Sequence, residues 1–176
     1  MLEGKNVNLR IVEREDLPLA HEWMNNPEFM GEFVPSIQRT KEEFEKFGDN
    51  LFAIKLFFVE KKDGTKIGLM NHFKSYLGLG ELLEIGYFLT PSERGRGYCT
   101  EAVQLMVDYL FLSMDVFRVQ ITLSVRNKAS ERVAEKAGFM REGTIRKIAR
   151  GERRDVYLYS ILREEWKEPK ILTRTR

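Results

Sequence analysis

Apolar residues at Val7, Leu9 and Ile11 alternate with Asn8 and Arg10, a period of two that predicts a first strand. The period then lengthens. Leu17, Ala20, Trp23 and Met24 recur at helical spacing behind Asp16, a natural N-cap, with Pro18 in the first turn and Asn25-Asn26-Pro27 as the stop. Phe29 to Ile37 is irregular. Thr40 with Glu43 three residues on forms a capping box for a second helix, which carries Phe44 and Phe47 and ends near Gly48. Three strand-like runs follow, Leu56–Glu60, Lys66–Phe73 and Glu81–Leu89. Lys62-Asp63-Gly64-Thr65 is a hairpin turn between the first two, and Ser75–Gly80 a turn before the third. Links this short predict antiparallel pairing, because a parallel crossover needs a helix's worth of chain.

Tyr98, Ala102, Leu105, Met106, Tyr109 and Leu110 mark one face of a helix from Tyr98 to Ser113, with Glu101, Gln104 and Asp108 expected to point away. Arg118–Ser124 reads as a strand rich in β-branched residues. Asn127 caps a helix that runs to Ala137, and Gly138 supplies its left-handed stop. Met140–Ala149 and Val156–Leu162 flank an exposed tip, Arg150-Gly151-Glu152-Arg153-Arg154. The charged tail from Lys167 is expected to be loose. The order predicts an α/β (α+β) domain over residues 1–176, about seven strands in a mostly antiparallel sheet with helices on both faces.

The stretch from Pro91 to Ala102 stands out chemically. A strand feeds it and a helix leaves it. Gly95 and Gly97 sit at the turn, with Arg94 before them and Arg96 between. Glycine permits a tight fold and close approach of a ligand to the main chain. The first N–H groups of the following helix lack internal partners and carry partial positive charge, so an anion such as a pyrophosphate can rest on them. Arg94 and Arg96 add full charges able to grip phosphate oxygens. No Gly-Lys-Ser/Thr follows, and the Gly-x-Gly-x-x-Gly spacing is absent. A Walker loop and a dinucleotide fingerprint are therefore both excluded.

Composition narrows the field further. A length of 176 residues suits one domain. A formal net charge of +2 gives no broad basic field for nucleic acid. No apolar run approaches the ~20 residues that span a bilayer, so no membrane partner is expected, and no export signal opens the chain. A single cysteine forbids an internal disulfide and suits a reducing cytoplasm. His21 and His72 lack partners at metal-ligand spacing, so no metal is expected.

The run Leu83-Glu84-Ile85-Gly86-Tyr87-Phe88-Leu89, followed by Arg94-Gly95-Arg96-Gly97-Tyr98-Cys99-Thr100-Glu101-Ala102, resembles motif A of the GNAT N-acetyltransferases, Arg/Gln-x-x-Gly-x-Gly/Ala. Asn127-Lys128-Ala129-Ser130-Glu131-Arg132-Val133-Ala134 through Phe139 is similar to that family's motif B. Asp155, Tyr157 and Leu162-Arg163-Glu164-Glu165-Trp166, with the opening Gly4 to Arg10, resemble its RimJ/RimL branch. The resemblance implies acetyl-CoA as co-substrate and a splayed parallel pair at the fourth and fifth strands, here Glu81–Leu89 and Arg118–Ser124. The gap between them would admit the pantetheine arm. It implies that the main chain from Arg94 through Gly95, Arg96, Gly97, Tyr98 and Cys99 to Thr100 holds the pyrophosphate, with Cys99 at the motif's Gly/Ala position. Phe88 and Leu89 would pair with pantetheine by their main chain, and Asn127 would bond its amides. Arg132 would reach the 3′-phosphate or adenine.

For chemistry, the resemblance implies Glu84 as base, acting through a water. Many members supply a tyrosine to the sulfur seven residues after the motif B asparagine, but that position is Ala134 here. Ser130, three residues after Asn127, is then the group for the departing thiolate. A catalytic role for Cys99 is not needed, because direct attack in a ternary complex uses no enzyme nucleophile. The early helices would form one wall of the acceptor pocket, with Trp23, Phe29, Met30, Phe33 and Val34. The acceptor implied by the branch is a protein N-terminal amine, ribosomal proteins included. The alternatives are a small amine such as a polyamine or an aminoglycoside, or a CoA-binding sensor or scaffold without turnover. Family members often pair, so a homodimer is a further expectation.

Overall fold

The computed structural model describes residues 1–33, 38–50 (main chain alone for 47–50), 55–75, 82–147 and 154–171. A two-residue strand, β1 (Leu2–Glu3), precedes β2 (Val7–Ile11). Then come α1 (Leu17–Asn25), α2 (Pro27–Met30) and α3 (Lys41–Asn50), and the meander β3 (Lys55–Lys61), β4 (Lys66–Lys74) and β5 (Leu83–Leu89). The chain continues through α4 (Tyr98–Ser113), β6 (Arg118–Ser124), α5 (Lys128–Lys136), β7 (Met140–Ile145) and β8 (Val156–Leu162). One eight-stranded sheet runs in the order β1-β2-β3-β4-β5-β6-β8-β7. It has one strand more than the pattern predicts, because Leu2–Glu3 is too short to show a period. All neighbours pair antiparallel except β5 and β6.

Two apolar layers hold the sheet. Val7, Leu9, Val59, Met70 and Ile85 pack with Ala102, Leu105, Met106 and Leu110 of α4 and Ala134 of α5 on one face. Ala20, Trp23, Phe44, Leu56, Phe58 and Leu69 form a smaller cluster under α1 and α3 on the other. The hairpin turn at 62–65 forms as its residues dictate: Gly64 takes φ +84° and the Asp63 carboxylate accepts from Thr65 N–H at 2.9 Å. The α3 capping box is present in both directions, Glu43 N–H to Thr40 Oγ1 at 3.1 Å and Thr40 N–H to the Glu43 carboxylate at 2.8 Å.

Several expectations are corrected. Asp16 stands at the α1 N-cap position, but its carboxylate caps nothing there. It accepts a forked pair from Arg10 at 2.7 and 2.9 Å and a third bond from Lys66 at 3.1 Å, since two cations outbid one helix N–H. Asp108 does not point away from the core. It is 1% exposed and accepts from Trp166 Nε1 at 2.7 Å, Ile171 N–H at 2.9 Å and Lys170 N–H. Those bonds tie down 166–171, so this part of the tail is not loose. Glu101 also turns inward, taking Asn6 N–H at 2.7 Å and Asn6 Nδ2 at 2.8 Å. Phe47 (side chain), Val34, the 76–81 turn and the 150–153 part of the basic tip lie outside the described residues.

Candidate active site

The parallel pairing of β5 with β6 lasts for two rungs, Leu83 with Val119 and Glu84 with Gln120. Beyond Glu84 the strands part, and β6 stays with β8 while β5 stays with β4. A wedge opens beside Ile85–Leu89. Thr90 N–H bonds Ile67 O at 2.9 Å, and strand alternation then turns the main chain of Phe88 toward β4 and that of Tyr87 and Leu89 into the wedge. Of the two residues expected to pair with pantetheine, Leu89 faces the right way and Phe88 does not.

The turn after β5 has the shape its glycines suggest. Gly95 and Gly97 lie at φ +76° and +85°, and a Cβ on either would stand in open space, so backbone freedom rather than room selects glycine. No side chain caps α4, and its first main-chain bond runs from Glu101 N–H to Gly97 O at 3.2 Å. The N–H groups of Tyr98, Cys99 and Thr100 are left for an anion. Arg96 is exposed, 3.5 Å from Glu93, and free to swing onto a phosphate. Arg94 is not. Its guanidinium donates to Leu89 O, Glu28 O and Phe29 O, each at 3.0 Å, which fastens the loop to α2. Three of its five N–H donors are thus held by carbonyls, and the two on Nη1 have no partner among the described residues and stay available to a phosphate.

Glu84 sits on the last parallel rung, 9% exposed. Its carboxylate accepts from Ser75 Oγ at 3.0 Å, Gln120 Nε2 at 3.2 Å and Thr122 Oγ1. Gln120 is fully buried, and its own Oε1 has no partner among the described residues. The sheet thus offers, at the closed end of the wedge, a fixed carboxylate with about one lone-pair site left and an amide oxygen that calls for a donor. Sequence reading finds Glu84 but not its holders, because Ser75, Gln120 and Thr122 converge only through the strand register.

On the other face, Asn127 Oδ1 caps α5 by accepting Ser130 N–H at 3.0 Å. Ser130 Oγ lies 2.7 Å from the Tyr87 hydroxyl. Arg132 is exposed on α5. Burial pushes the Tyr87 phenol far above its ordinary value, reinforced by nearby Cys99 and opposed by the Ser130 bond. Burial also pushes the Cys99 thiol up to about 12, the reverse of what a helix N-terminus alone would do. Ala134 is sealed in the core. Among the described residues no three of His, Cys, Asp and Glu gather to hold a metal.

A wedge in the sheet, a glycine turn with unpaired N–H groups and an open space beside it fit a long thioester carrying a diphosphate. Residues 6–140 match the family model described as acetyltransferase (GNAT) domain. The chain belongs to the GNAT acetyltransferases. A probable N-acetyltransferase of Bacillus subtilis, YjcK, is 33% identical over 165 residues, covering 84% of this chain and 87% of its own. The solved GNAT-family acetyltransferase from Bacillus anthracis superposes with a TM-score of 0.79 at 29% identity, covering 93% of this chain and 98% of that one. RimL, a ribosomal alpha-N-protein acetyltransferase solved with coenzyme A, shares the fold at a TM-score of 0.78 and 21% identity, covering 90% and 94%. The protein is an acetyl-CoA-dependent N-acetyltransferase.

In this GNAT chain the face bearing Glu84 is walled by α1 and α2. Trp23 stacks edge-on against Phe29 and Phe58, both at 5.6 Å, with half-buried Met30 and Phe33 nearby in sequence. Gly86 lies two residues beyond Glu84, and a Cβ there would meet Asn71 Oδ1 at 2.5 Å, so the glycine makes room for that amide beside the wedge. The buried carboxylates Asp16 and Glu60 are spoken for by Arg10 at 2.7 and 2.8 Å, and exposed Glu142 by a forked Arg118.

Proposed function

We propose that this enzyme acetylates the N-terminal α-amine of a protein, ribosomal proteins included, by direct attack within a ternary complex. Bound acetyl-CoA supplies the activated acyl group. The N–H groups after Gly97, with Arg96, hold its diphosphate, while Asn127 and the Leu89 main chain hold the pantetheine. Arg132 reaches the 3′-phosphate. Glu84, through a water, takes the proton that the amine must lose. Ser130 gives its hydroxyl hydrogen to the sulfur as charge gathers there. The same reading assigns the enzyme to the cytosol, where its one thiol stays reduced.

One observation carries the acceptor. The face beside the wedge presents Glu84 as a carboxylate without a cationic partner among the described residues, while Asp16 and Glu60 share Arg10, with Lys66 also on Asp16, and Glu142 is paired with Arg118. A single amine leading an otherwise apolar or main-chain segment suits that balance. A polyamine's further ammonium groups would have to turn to the exposed carboxylates Glu22, Glu28 and Glu32 of α1, α2 and the turn after α2. The test is acetyl transfer from acetyl-CoA to a panel of peptides with free N-termini, the same peptides blocked at the N-terminus but carrying internal lysine, spermidine, and an aminoglycoside. Free N-termini are expected to be preferred. A kcat/KM for spermidine above that of every peptide would overturn the acceptor assignment while leaving the enzyme class intact.

A further inference from the structure

Tyr87 is not needed for the fold in any way that demands its hydroxyl. The ring packs against the α4 layer, where phenylalanine would serve as well. Yet its oxygen crosses the wedge from β5 to α5 and ends 2.7 Å from Ser130 Oγ. Among the described residues the only other oxygen within reach is Ser130 O, at 3.5 Å, too far for a good bond. Two hydroxyls that close share one hydrogen and leave one over. Burial keeps the phenol protonated at every working pH, and a phenol is the better donor of the two. Ser130 N–H is already committed to Asn127 Oδ1 at 3.0 Å, so the serine main chain is fixed and its side chain can be aimed. Ala134, the next turn of α5, is buried and adds no polar atom.

We propose that Tyr87 is a positioning residue for the thiol side of the reaction: its phenol donates to Ser130 Oγ, locking the serine so that its own O–H hydrogen projects into the wedge toward the sulfur. This rests on the Ser130 role given above and deepens it. As the new N–C bond forms and the C–S bond breaks, the electron pair stays on sulfur and the amine proton leaves on the Glu84 side. Ser130 meets the sulfur's charge with its hydrogen, and the Tyr87 bond strengthens as Ser130 Oγ becomes more negative. The tyrosine touches no reacting atom. Its effect passes through the serine.

The experiment reads the thiol directly. Free coenzyme A is bound to the wild-type protein, Tyr87→Phe, Ser130→Ala and the double variant, and the bound thiol is titrated by thiolate absorbance against the protein alone. Calorimetry supplies the affinities and thermal unfolding the fold check. The bound thiol is expected to titrate about one pH unit lower in the wild type than in either single variant, with affinity within roughly twofold. Acetyl transfer is expected to slow roughly tenfold in Tyr87→Phe. Adding Tyr87→Phe to Ser130→Ala should change neither readout further. Equal thiol titrations in the wild type and Tyr87→Phe would overturn the proposal, and so would independent, additive effects of the two changes. Should no amine be acetylated at all, the acceptor reading fails while the thiol titration still decides this one.

Discussion

Three side chains let single atoms be tested. Glu84→Gln keeps the size and one acceptor oxygen, for Ser75 and Gln120 on one side or Thr122 on the other, but it removes the charge proposed to take a proton. Its kcat is expected to fall on the order of 100-fold with the affinity for coenzyme A, measured by calorimetry, unchanged. Gly97→Ala meets no neighbour but must hold φ +85°. It is expected to cost about 1–2 kcal/mol of stability in urea unfolding and to weaken coenzyme A roughly tenfold. His72 is 4% exposed, neither ring nitrogen has a partner among the described residues, and it packs against Phe57 and Tyr109. Burial, helped by Lys55, pushes it down to about 4. The unfolded chain therefore binds this proton first as the pH falls. The contribution is complete above about pH 6.5 and is lost on the way down to about 4, with a slope of up to about 1.4 kcal/mol per pH unit. His72→Phe should flatten that part of the stability profile. An unchanged slope would mean that other groups set it.

At the scale of elements, α4 is anchored at both ends and in the middle by groups far from it in sequence. Glu101 holds the loop before β2, and Asp108 holds Trp166 and the tail. Arg163 forks onto Phe111 O and Met114 O, at 2.8 and 2.7 Å, with Nε on Val116 O at 2.8 Å. Those carbonyls end the helix and the turn after it, where no internal partner exists. Arg163→Ala is expected to lower stability by about 2–3 kcal/mol. Lysine should recover less than half, because an ammonium cannot fork. Denaturant unfolding measures both. The limits of α4, β6 and β8 were readable from apolar period and flanking breakers, and so was the stop at Gly138, whereas α3 runs on through Gly48 to Asn50. The anchors were not. An aspartate on an amphipathic helix reads as solvated until the fold brings Trp166 and the tail onto it, and Asp16 reads as a cap until β2 and β4 deliver two cations to it. Pattern reports what a segment does alone; these residues act on partners that only the assembled sheet supplies.

For the molecule as a whole, the same division separates scaffold from chemistry. The wedge was expected only through the resemblance to the GNAT motifs, whose fourth and fifth strands run parallel and part; element order by itself supplies the crossover helix α4 between β5 and β6. Glu84 and Ser130 were visible from their place in motifs. Tyr87, Asn71 and Gln120 were not, because each acts across strands. Occupancy of the wedge should be felt throughout: at coenzyme A one hundredfold above its Kd the fold is expected to gain about 2.7 kcal/mol, and Gly97→Ala should lose that gain in step with its affinity, as thermal unfolding with and without the ligand will show. Cys99 bears on handling and on occupancy together. With its thiol pushed up to about 12, the sulfhydryl carries roughly a thousandfold less reactive anion at neutral pH than an ordinary cysteine. Because the side chain is only partly buried, alkylating reagents reach it without unwinding α4, and slower alkylation with coenzyme A bound will report how far the ligand covers that first turn.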